Sequence, residues 1–435
     1  MSKWPTKSLR ELCDPKRPIA YGIVQPGKPF PGGIPIVRVN NFSATGLDLA
    51  EVLSVDPVIE KQYSRSRPQP SDVLVTLVGS IGQVAIAPVG IAGWNLARAV
   101  GLLPMPDHHH AQWVAYSIKN RDAQEFIRQH ANTTVQATFN LGDLAKLPIP
   151  YPDEPIRQDI LETLTAIDDR IELNRRMNET LEGMAQAIFR DWFVDFGPTR
   201  RKAAGEADPV AIMGGLAPDP ARASGLAALF PAAFGNDGLP VGWTERPLDT
   251  IADFLNGLAL QKFPAKAGEP DLPVIKIAEL RNGLSERTNR AARTLPAKYI
   301  IKDGDFIFSW SGSLMAKVWT SGEGALNQHL FKVSSDEFPQ WFYGQWVHHH
   351  MPEFQLIAAS KATTMGHIQR GHLSSAATIC PQNGAMDVMS SVMQPLWDRM
   401  IHNELENRTL AETRDYLLPR LMSGAVRVAP KVEAA

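Results

Sequence analysis

An apolar stripe with two asparagines in its middle runs through residues 157–193, and it recurs 229 residues later. Its positions alternate four and three residues apart, the spacing of a coiled-coil seam. The first copy is Ile160, Leu164, Ile167, Ile171, Asn174, Asn178, Leu181, Ala185, Ile188 and Trp192. The second copy is Met389, Met393, Leu396, Met400, Asn403, Asn407, Leu410, Arg414, Leu417 and Leu421. We therefore predict two long helices of one design in a single chain.

The two helices are expected to pair with each other, because neither stripe can stay in water. An antiparallel pairing places Asn174 opposite Asn407 and Asn178 opposite Asn403, and seam asparagines are known to set register. The apolar pairs are then Ile160 with Leu421, Leu164 with Leu417, Ile171 with Leu410, Leu181 with Met400, and Ile188 with Met393. Ile167 opposite Arg414 is a poor pair. The alternative is that each helix packs its stripe on its own globular unit.

The duplication extends over the rest of the chain in a constant order. The matching pairs are Trp4, Leu9 and Leu12 with Trp243, Leu248 and Ile251; 34–42 with 272–280; 71–87 with 304–320; Asn95 with Asn327; 112–131 with 340–359; and Gly142 with Gly371. The β-branched runs in these pairs predict strands, with Gly79-Ser80 and Gly312-Ser313 as turns between them. The segments 112–131 and 340–359 are each predicted to form one amphipathic helix.

These patterns predict an α+β fold. Two similar α/β globular domains are separated by two long helices that form an antiparallel coiled coil, which makes the chain a pseudo-twofold internal repeat. The predicted boundaries are 1–153 for the first domain, 154–196 for the first helix, 197–241 for a Gly/Pro/Ala-rich linker, 242–386 for the second domain, 387–424 for the second helix and 425–435 for the tail. One short helix is expected inside the linker, around Ser224 to Leu229.

The composition restricts the setting and the partners. Cys13 and Cys380 are the two cysteines of 435 residues, too few for a disulfide framework, and we expect a cytoplasmic protein. No stretch approaches the roughly 20 apolar residues needed to cross a bilayer. The formal net charge is −2, whereas a lone DNA-binding domain is usually basic. Any DNA contact therefore needs a locally basic face or a partner that adds positive surface.

Several motifs in a fixed order resemble one known family over essentially the whole chain. They are Trp4-Pro5 to Leu12, TLVGSIGQVAIAP at 76–88, TFNLGDLAKLPIPYP at 138–152, the helix at 157–193, and LFPAAF and GLPVGW within 229–243. This set resembles the specificity (S) subunits of type I restriction–modification systems. The resemblance implies two target-recognition domains, each recognising one part of a split, asymmetric double-stranded DNA target.

The same resemblance implies that the long helices set the spacing and serve as docking sites for two methyltransferase (M) subunits. The M subunits would bring S-adenosylmethionine, and separate restriction–translocase (R) subunits would bring ATP hydrolysis, with Mg. The chain itself would then hold no cofactor and no catalytic site.

Base recognition needs side chains with paired donors and acceptors, chiefly Arg, Lys, Asn and Gln. The candidates in the first domain are Arg38, Asn40, Ser80, Arg98, Gln136, Thr138 and Asn140. Those in the second domain are Lys276, Ser311, Ser313, Lys317, His329, Thr364, His367 and Gln369. Candidates for phosphate contacts, which position without specifying, are Lys61, Arg65, Arg67, Lys361 and Arg370. For each of them, a solvated surface charge or a turn-stabilising hydroxyl is the alternative.

The alternatives to DNA recognition are a metal-binding protein, an enzyme and a protein-binding scaffold. The histidine triplets at 108–110 and 348–350 are not equivalent in the repeat, and we predict no metal site. Ser80 lies in GSIG rather than in the GxSxG motif of a nucleophile, and no coherent catalytic set appears. The competing hypothesis is a coiled-coil scaffold whose two globular domains bind proteins.

Overall fold

A computed structural model describes residues 3–43, 46–132, 137–360, 366–382 and 384–428. The chain divides into two compact units, one formed by Met1–Glu172 with Leu410–Ala435 and the other by Leu173–Thr409. Both units mix helices and strands, as the predicted α+β class requires. Among the described residues, no helix is both long and apolar enough to cross a membrane.

The first unit contains what we call the first module, residues 3–153. Its strands are β1 (Thr6–Ser8), β2 (Ala20–Tyr21), β3 (Ile34–Val37), β4 (Phe42–Ser43), β5 (Gly46–Leu47), β6 (Leu53–Val55), β7 (Val73–Thr76), β8 (Val84–Ile86), β9 (Asn95–Leu96), β10 (Val100–Leu103) and β11 (Pro148–Pro150). Its α-helices are α1 (Leu9–Leu12), α2 (Pro57–Glu60), α3 (His108–Lys119), α4 (Arg121–His130) and α5 (Leu141–Ala145). Short 3-10 helices cover Val39–Asn41, Lys61–Ser66 and Val89–Ile91.

The long helix α6 (Glu154–Phe189) follows and ends in a π-helical turn, Arg190–Val194. The next helices are α7 (Gly197–Ala203), α8 (Pro209–Ile212) and α9 (Pro220–Ala227). We expected a linker with one short helix around Ser224 to Leu229. That helix corresponds to α9, whereas α7 and α8 were not expected. Ile212, Leu226 and Phe230 are buried in the core of the second unit. Apolar side chains spaced among the Gly and Pro residues therefore give this segment a packed structure.

The second module, residues 242–382, lies in the second unit. Its strands are β12 (Thr244–Pro247), β13 (Asp253–Asn256), β14 (Asp271–Ile275), β15 (Arg290–Ala292), β16 (Ile300–Ile301), β17 (Phe306–Ser309), β18 (Met315–Val318), β19 (Gly324–Leu326), β20 (Leu330–Ser334) and β21 (Ala377–Cys380). Its α-helices are α10 (Leu248–Ile251), α11 (Ile277–Asn282), α12 (Gln340–Ser360) and α13 (Arg370–Ser375), with 3-10 turns at Leu260–Lys262 and Ala297–Tyr299. The last helix is α14 (Ala385–Ser423).

The strand order repeats between the two modules. One antiparallel sheet has the order β2-β10-β7-β8 in the first module, and its counterpart has the order β13-β20-β17-β18 in the second. Each module also contains one parallel pair, β3 with β9 and β14 with β19. Finally, β1 pairs with β11 and β12 pairs with β21, so the entry and exit strands of each module lie side by side.

The parallel pairs correct one part of the sequence alignment. Ile36 lies opposite Asn95, whereas its repeat equivalent Val274 lies opposite Ala325. Asn327 therefore corresponds to Ala97 and not to Asn95, as we had aligned it. The error was two residues, because the match rested on a shared residue type in a short loop and not on the strand register.

The two amphipathic segments also fold differently from each other. In the first module the predicted single helix is broken into α3 and α4 at Asn120, whose backbone is extended. In the second module α12 is one continuous helix that includes Pro352. The prediction of one helix was wrong for the first copy, where Asn120 leaves the helical conformation.

Asparagines join the long helices α6 and α14 within the second unit. Asn174 Nδ2 donates to Asn407 Oδ1 over 3.0 Å, and Asn403 Nδ2 donates to Asn178 Oδ1 over 2.8 Å. These are the two asparagine pairs of the predicted register. Every residue assigned to helix pairing is buried or half-buried: Ile160, Leu164, Ile171, Asn174, Asn178, Leu181, Met393, Met400, Asn403, Asn407, Leu410 and Leu417.

Arg414 is accommodated within the first unit, although we had expected it to be a poor partner for Ile167. Its guanidinium donates to Asp168 Oδ1 over 2.8 Å and also contacts Asp415. The other carboxylate oxygen of Asp168 accepts a hydrogen bond of 2.7 Å from the Tyr116 hydroxyl. Asp168, which follows Ile167 in α6, therefore supplies the ion-pair partner that Ile167 cannot provide for Arg414.

Candidate nucleic-acid interface

The first module gathers polar side chains where the parallel strands β3 and β9 end. The Ala97 N–H donates to Val37 O over 2.9 Å, and the Arg98 N–H donates to Ile23 O over 2.9 Å. Arg38 follows Val37 directly, so the two arginines leave the sheet at the same side. Arg38 Nε is a buried donor with no hydrogen-bond partner among the described residues.

The turn after β7 lies against this site and holds a further segment. The Leu77 N–H donates to Ala99 O over 2.7 Å, which fixes the turn beside the Arg98 loop. The Gly79 N–H donates to Ala137 O over 3.0 Å, and Val78 forms an isolated bridge with Thr138. Four segments far apart in sequence therefore meet at one edge of the module.

The second module repeats this frame. The Asn327 N–H donates to Ile275 O over 3.2 Å, and the Gln328 N–H donates to Leu258 O over 2.9 Å. These bonds correspond to those of Ala97 and Arg98. Gln328 therefore occupies in the second module the position that Arg98 holds in the first.

The turn after β17 is held in the same way. The Trp310 N–H donates to His329 O over 3.4 Å, and the Gly312 N–H donates to Gly366 O over 2.7 Å. Ser311 forms the isolated bridge with His367 that Val78 forms with Thr138. We call the two sites the first edge (residues 38–40, 78–80, 97–99 and 137–140) and the second edge (276–278, 311–313, 327–329 and 366–369).

A glycine lets the backbone approach closely behind each edge. A Cβ on Gly22 would lie 2.1 Å from Leu96 O, and a Cβ on Gly257 would lie 2.2 Å from Asn327 O. Both contacts are with backbone, which cannot move aside as a flexible side chain can. Neither glycine was predicted from the sequence, although each follows directly on the first strand of its sheet.

Most of the base-recognition candidates in the first module lie on the first edge. Asn40, Ser80, Arg98 and Asn140 are exposed, and Arg38 and Thr138 are half-buried. Asn140 also caps α5, because its side chain accepts from the Asp143 N–H over 2.9 Å. Gln136 lies outside the described residues.

The second-module candidates are more strongly engaged in internal contacts. Ser311 is buried, and its Oγ lies 3.0 Å from His329 Nδ1. Lys276 Nζ donates to Asn289 Oδ1. Ser313 and Gln369 are exposed, and Lys317, His329 and His367 are half-buried. Lys317 lies in β18 outside the second edge, and Thr364 lies outside the described residues.

The phosphate candidates differ in exposure and in the internal contacts that they make. Lys61 and Arg65 are exposed on the 3-10 helix that follows α2. Arg67 instead makes two hydrogen bonds of 2.6 Å to the buried carboxylate of Glu60 and lowers the pKa of that carboxyl group. Arg370 donates to Phe254 O over 3.3 Å. Lys361 lies outside the described residues.

An aromatic cluster lies behind the second edge, and its central residue, Trp310, was not predicted from the sequence. The half-buried ring of Trp310 lies 5.9 Å from His329 and 6.3 Å from His367, measured between ring centroids. Its Nε1 donates to Asn256 Oδ1 over 3.0 Å. The equivalent position in the first module is Leu77, so the aromatic cluster distinguishes the two edges.

In the part of the chain that the structure describes, no group of three or more His, Cys, Asp or Glu residues is placed to hold a metal ion. His110 of the first triplet contacts Asp107 at 2.9 Å. His348 of the second triplet is desolvated, and this burial lowers its pKa to about 4.

Residues 1–183 match the family model described as the type I restriction modification DNA specificity domain. The chain is 26% identical over 333 residues to the type I restriction enzyme HindI specificity subunit of Haemophilus influenzae, covering 68% of this chain and 72% of that protein. It is 22% identical over 364 residues to the MjaIX specificity subunit of Methanocaldococcus jannaschii, covering 82% and 78%.

Two further similarities cover different shares of this chain. The EcoBI specificity subunit of Escherichia coli is 31% identical over 203 residues, which are 43% of this chain and 41% of that protein. A crystal structure of the type I restriction–modification S subunit from M. genitalium aligns over 97% of this chain and 96% of its own, with a TM-score of 0.51 and 14% identity. This last likeness shows that the fold is shared along nearly the whole chain.

Proposed function

We propose that this chain, which belongs to the family of type I restriction–modification specificity subunits, recognises a split double-stranded DNA target through its two edges. The observation that carries the proposal is the repeated frame. The same backbone hydrogen bonds hold both edges, while the side chains on them differ. Different side chains on a common frame suit two half-sites of different sequence, because base identity is recognised by side-chain donors and acceptors.

The long helices act in this proposal as an antiparallel coiled coil that sets the distance between the half-sites. Support comes from the bonds of Asn174 with Asn407 and of Asn178 with Asn403, which fall in the predicted register. Buried seam asparagines favour one register over its alternatives. A fixed register gives a fixed length, and a target with two separated halves requires a constant spacing.

Partner subunits supply the chemistry in this proposal. Two methyltransferase (M) subunits dock on the long helices and bring S-adenosylmethionine, and restriction–translocase (R) subunits bring ATP hydrolysis with Mg. The chain itself is a non-catalytic recognition subunit. The net charge of −2 supports this division, because phosphate neutralisation provides much of the affinity for DNA and must then come largely from the partners.

Selection from a randomised double-stranded DNA library tests the proposal. The chain purified together with its methyltransferase subunits should enrich two short sequences separated by a constant number of unspecified base pairs. The chain alone should bind more weakly and with a smaller dependence of affinity on salt concentration, because fewer phosphates are neutralised. A complex that enriches no sequence contradicts the proposal, and binding of proteins without DNA selection would favour a scaffold.

A further inference from the structure

We propose that Arg98 and Gln328 specify different bases, with Arg98 selecting guanine in one half-site and Gln328 selecting adenine in the other. The inference rests on the proposed function and goes beyond it, because it assigns a base preference to one position of each edge. Gln328 was not among the residues that the sequence analysis had singled out.

Three backbone hydrogen bonds establish that the two residues are equivalent. Their own N–H groups donate to Ile23 O and to Leu258 O, over 2.9 Å in each case. The N–H groups of the preceding residues, Ala97 and Asn327, donate to Val37 O and Ile275 O at the ends of the parallel strands. The carbonyls of the following residues, Ala99 and His329, accept from the N–H groups of Leu77 and Trp310 in the turns after β7 and β17. With the backbone position fixed by the same bonds, the side chain is what differs between the two edges.

The side chain of Arg98 is available to a ligand, unlike several other cations near the edges. It is exposed, and within the described part of the chain its guanidinium has no hydrogen-bond or ion-pair partner. By contrast, Arg67 is paired with Glu60, and Lys276 donates to Asn289. A guanidinium held at an exposed edge without an internal acceptor retains its full set of donors for DNA.

Gln328 keeps the donor and the acceptor that an adenine requires. Its Nε2 lies 3.3 Å from His329 Nε2, and His329 Nδ1 lies 3.0 Å from Ser311 Oγ. If His329 Nε2 accepts from the Gln328 amide, its Nδ1 can donate to the serine hydroxyl. Gln328 is half-buried. Among the described residues, this contact with His329 is the side-chain hydrogen bond that Gln328 makes, so the second amide hydrogen and the carbonyl oxygen remain for a base.

The chemistry of the base edges then separates the two preferences. Guanine presents two acceptors in the major groove, O6 and N7, which match the two parallel donors of a guanidinium. Adenine presents an acceptor at N7 and a donor at N6, which match the donor and acceptor of a side-chain amide. A guanidinium has no acceptor for the adenine amino group, so Arg98 disfavours adenine where Gln328 favours it.

Exchange of the two residue types tests the inference in the complex with the methyltransferase subunits. Arg98→Gln should change one position of one half-site from guanine to adenine in library selection, by roughly five- to a hundredfold in relative affinity. Gln328→Arg should change one position of the other half-site from adenine to guanine. In each variant the unaffected half-site serves as the internal control.

Two further variants separate base recognition from a charge effect. Arg98→Lys should retain the guanine preference, because lysine also donates to O6 and N7. Arg10→Gln removes an exposed charge from α1, outside the first edge, and should leave both half-sites unchanged.

The outcomes that would overturn the inference are specific. If Arg98→Gln weakens binding to all sequences equally, the residue contacts phosphate and the inference is wrong. It is equally wrong if neither exchange alters a base preference, or if one exchange alters both half-sites. Failure of the proposed function is distinguishable, since the wild-type complex would then select no bipartite sequence at all.

Discussion

The side-chain amide of Asn403 donates a hydrogen bond to Asn178 Oδ1 over 2.8 Å. Its repeat equivalent, Asn174, donates in the same way to Asn407 over 3.0 Å. Asn174 and Asn403 each leave their own Oδ1 buried without a hydrogen-bond partner among the described residues. The two equivalent asparagines therefore use their side chains in the same way, with Nδ2 paired and Oδ1 unpaired. The unpaired buried oxygens lower the stability of the interface, whereas the paired amides specify its register.

Replacing one pair with leucine should raise stability and loosen the register. For Asn174→Leu with Asn407→Leu we expect the free energy of unfolding to rise by about 1–3 kcal/mol, because a buried, partly unsatisfied polar pair becomes apolar. Asn174→Leu alone should lower it, since Asn407 then loses a partner. Urea unfolding measures both changes.

Cysteines at 164 and 417 should crosslink in the otherwise wild-type chain, because the antiparallel register places Leu164 opposite Leu417. Crosslinking of 164 to 393 instead would refute that register.

The joint between α12 and α14 depends on Gly344. A Cβ at Gly344 would lie 2.8 Å from Trp397 Cη2, and the indole is held by a hydrogen bond of 2.9 Å from its Nε1 to Gln340 Oε1. At the equivalent joint of the first unit, the large residue is Tyr116 on the module and its partner on the helix is Asp168. The large side chain therefore lies on the long helix in the second unit, as Trp397, and on the module in the first unit, as Tyr116.

Gly344→Ala should therefore destabilise the chain by about 1–3 kcal/mol through overpacking. Gly183→Ala is the matched control, because Gly183 lies in α6 with nothing within 4 Å of an added Cβ. That change should stabilise the chain by about 0.5–1 kcal/mol through helix propensity. Thermal or urea unfolding measures both, and equal effects of the two substitutions would exclude packing at Trp397 as the cause.

The glycine behind each edge should be required for one half-site only. Gly22→Ala places a methyl group 2.1 Å from Leu96 O, so the loop that carries Arg98 must shift. We expect a loss of stability of about 3 kcal/mol or more and a loss of selection at one half-site in the library experiment. Gly90→Ala, which meets nothing within 4 Å, is the control. Intact selection of both halves by Gly22→Ala would disprove the role of this approach.

Stability should fall in mild acid because of His348. Burial lowers its pKa from 6.5 to about 4, so between these values the unfolded state binds a proton that the folded state does not. The contribution is present above pH 6.5 and is lost as the pH falls towards 4, by up to about 3 kcal/mol. Urea unfolding at several pH values should show a weaker pH dependence for His348→Leu. The exposed His402, changed to leucine, should leave the dependence as in the wild type.

Helix length should control the spacing of the DNA target. Inserting seven residues into both α6 and α14 preserves the seam, since a heptad is its repeat. We expect library selection to return both half-site sequences unchanged with more base pairs between them. Altered half-site sequences with an unchanged spacing would contradict the role of the helices as a spacer.

The periodic features of this chain were predictable from its sequence. The long helices, their asparagine pairs and the duplicated order of elements all appear as spacings between residues, because a helix face and a strand face bury side chains at regular intervals. Prediction was weaker where no period exists. Residue type alone aligns Asn95 with Asn327, but the strand register contradicts that match. Gly, Pro and Ala content alone indicates a linker at 197–241, but apolar residues of this segment pack in a core.

The tertiary structure alone decided which residues meet at the two edges. Arg38, Arg98 and Thr138 lie in segments joined by strand pairing and loop hydrogen bonds between residues distant in sequence, and no local pattern specifies that pairing. The same long-range bonds made Gln328 the counterpart of Arg98 and showed why Gly22 must lack a side chain. Local spacing determines which faces are buried, whereas the convergence of separate segments depends on how the whole chain packs.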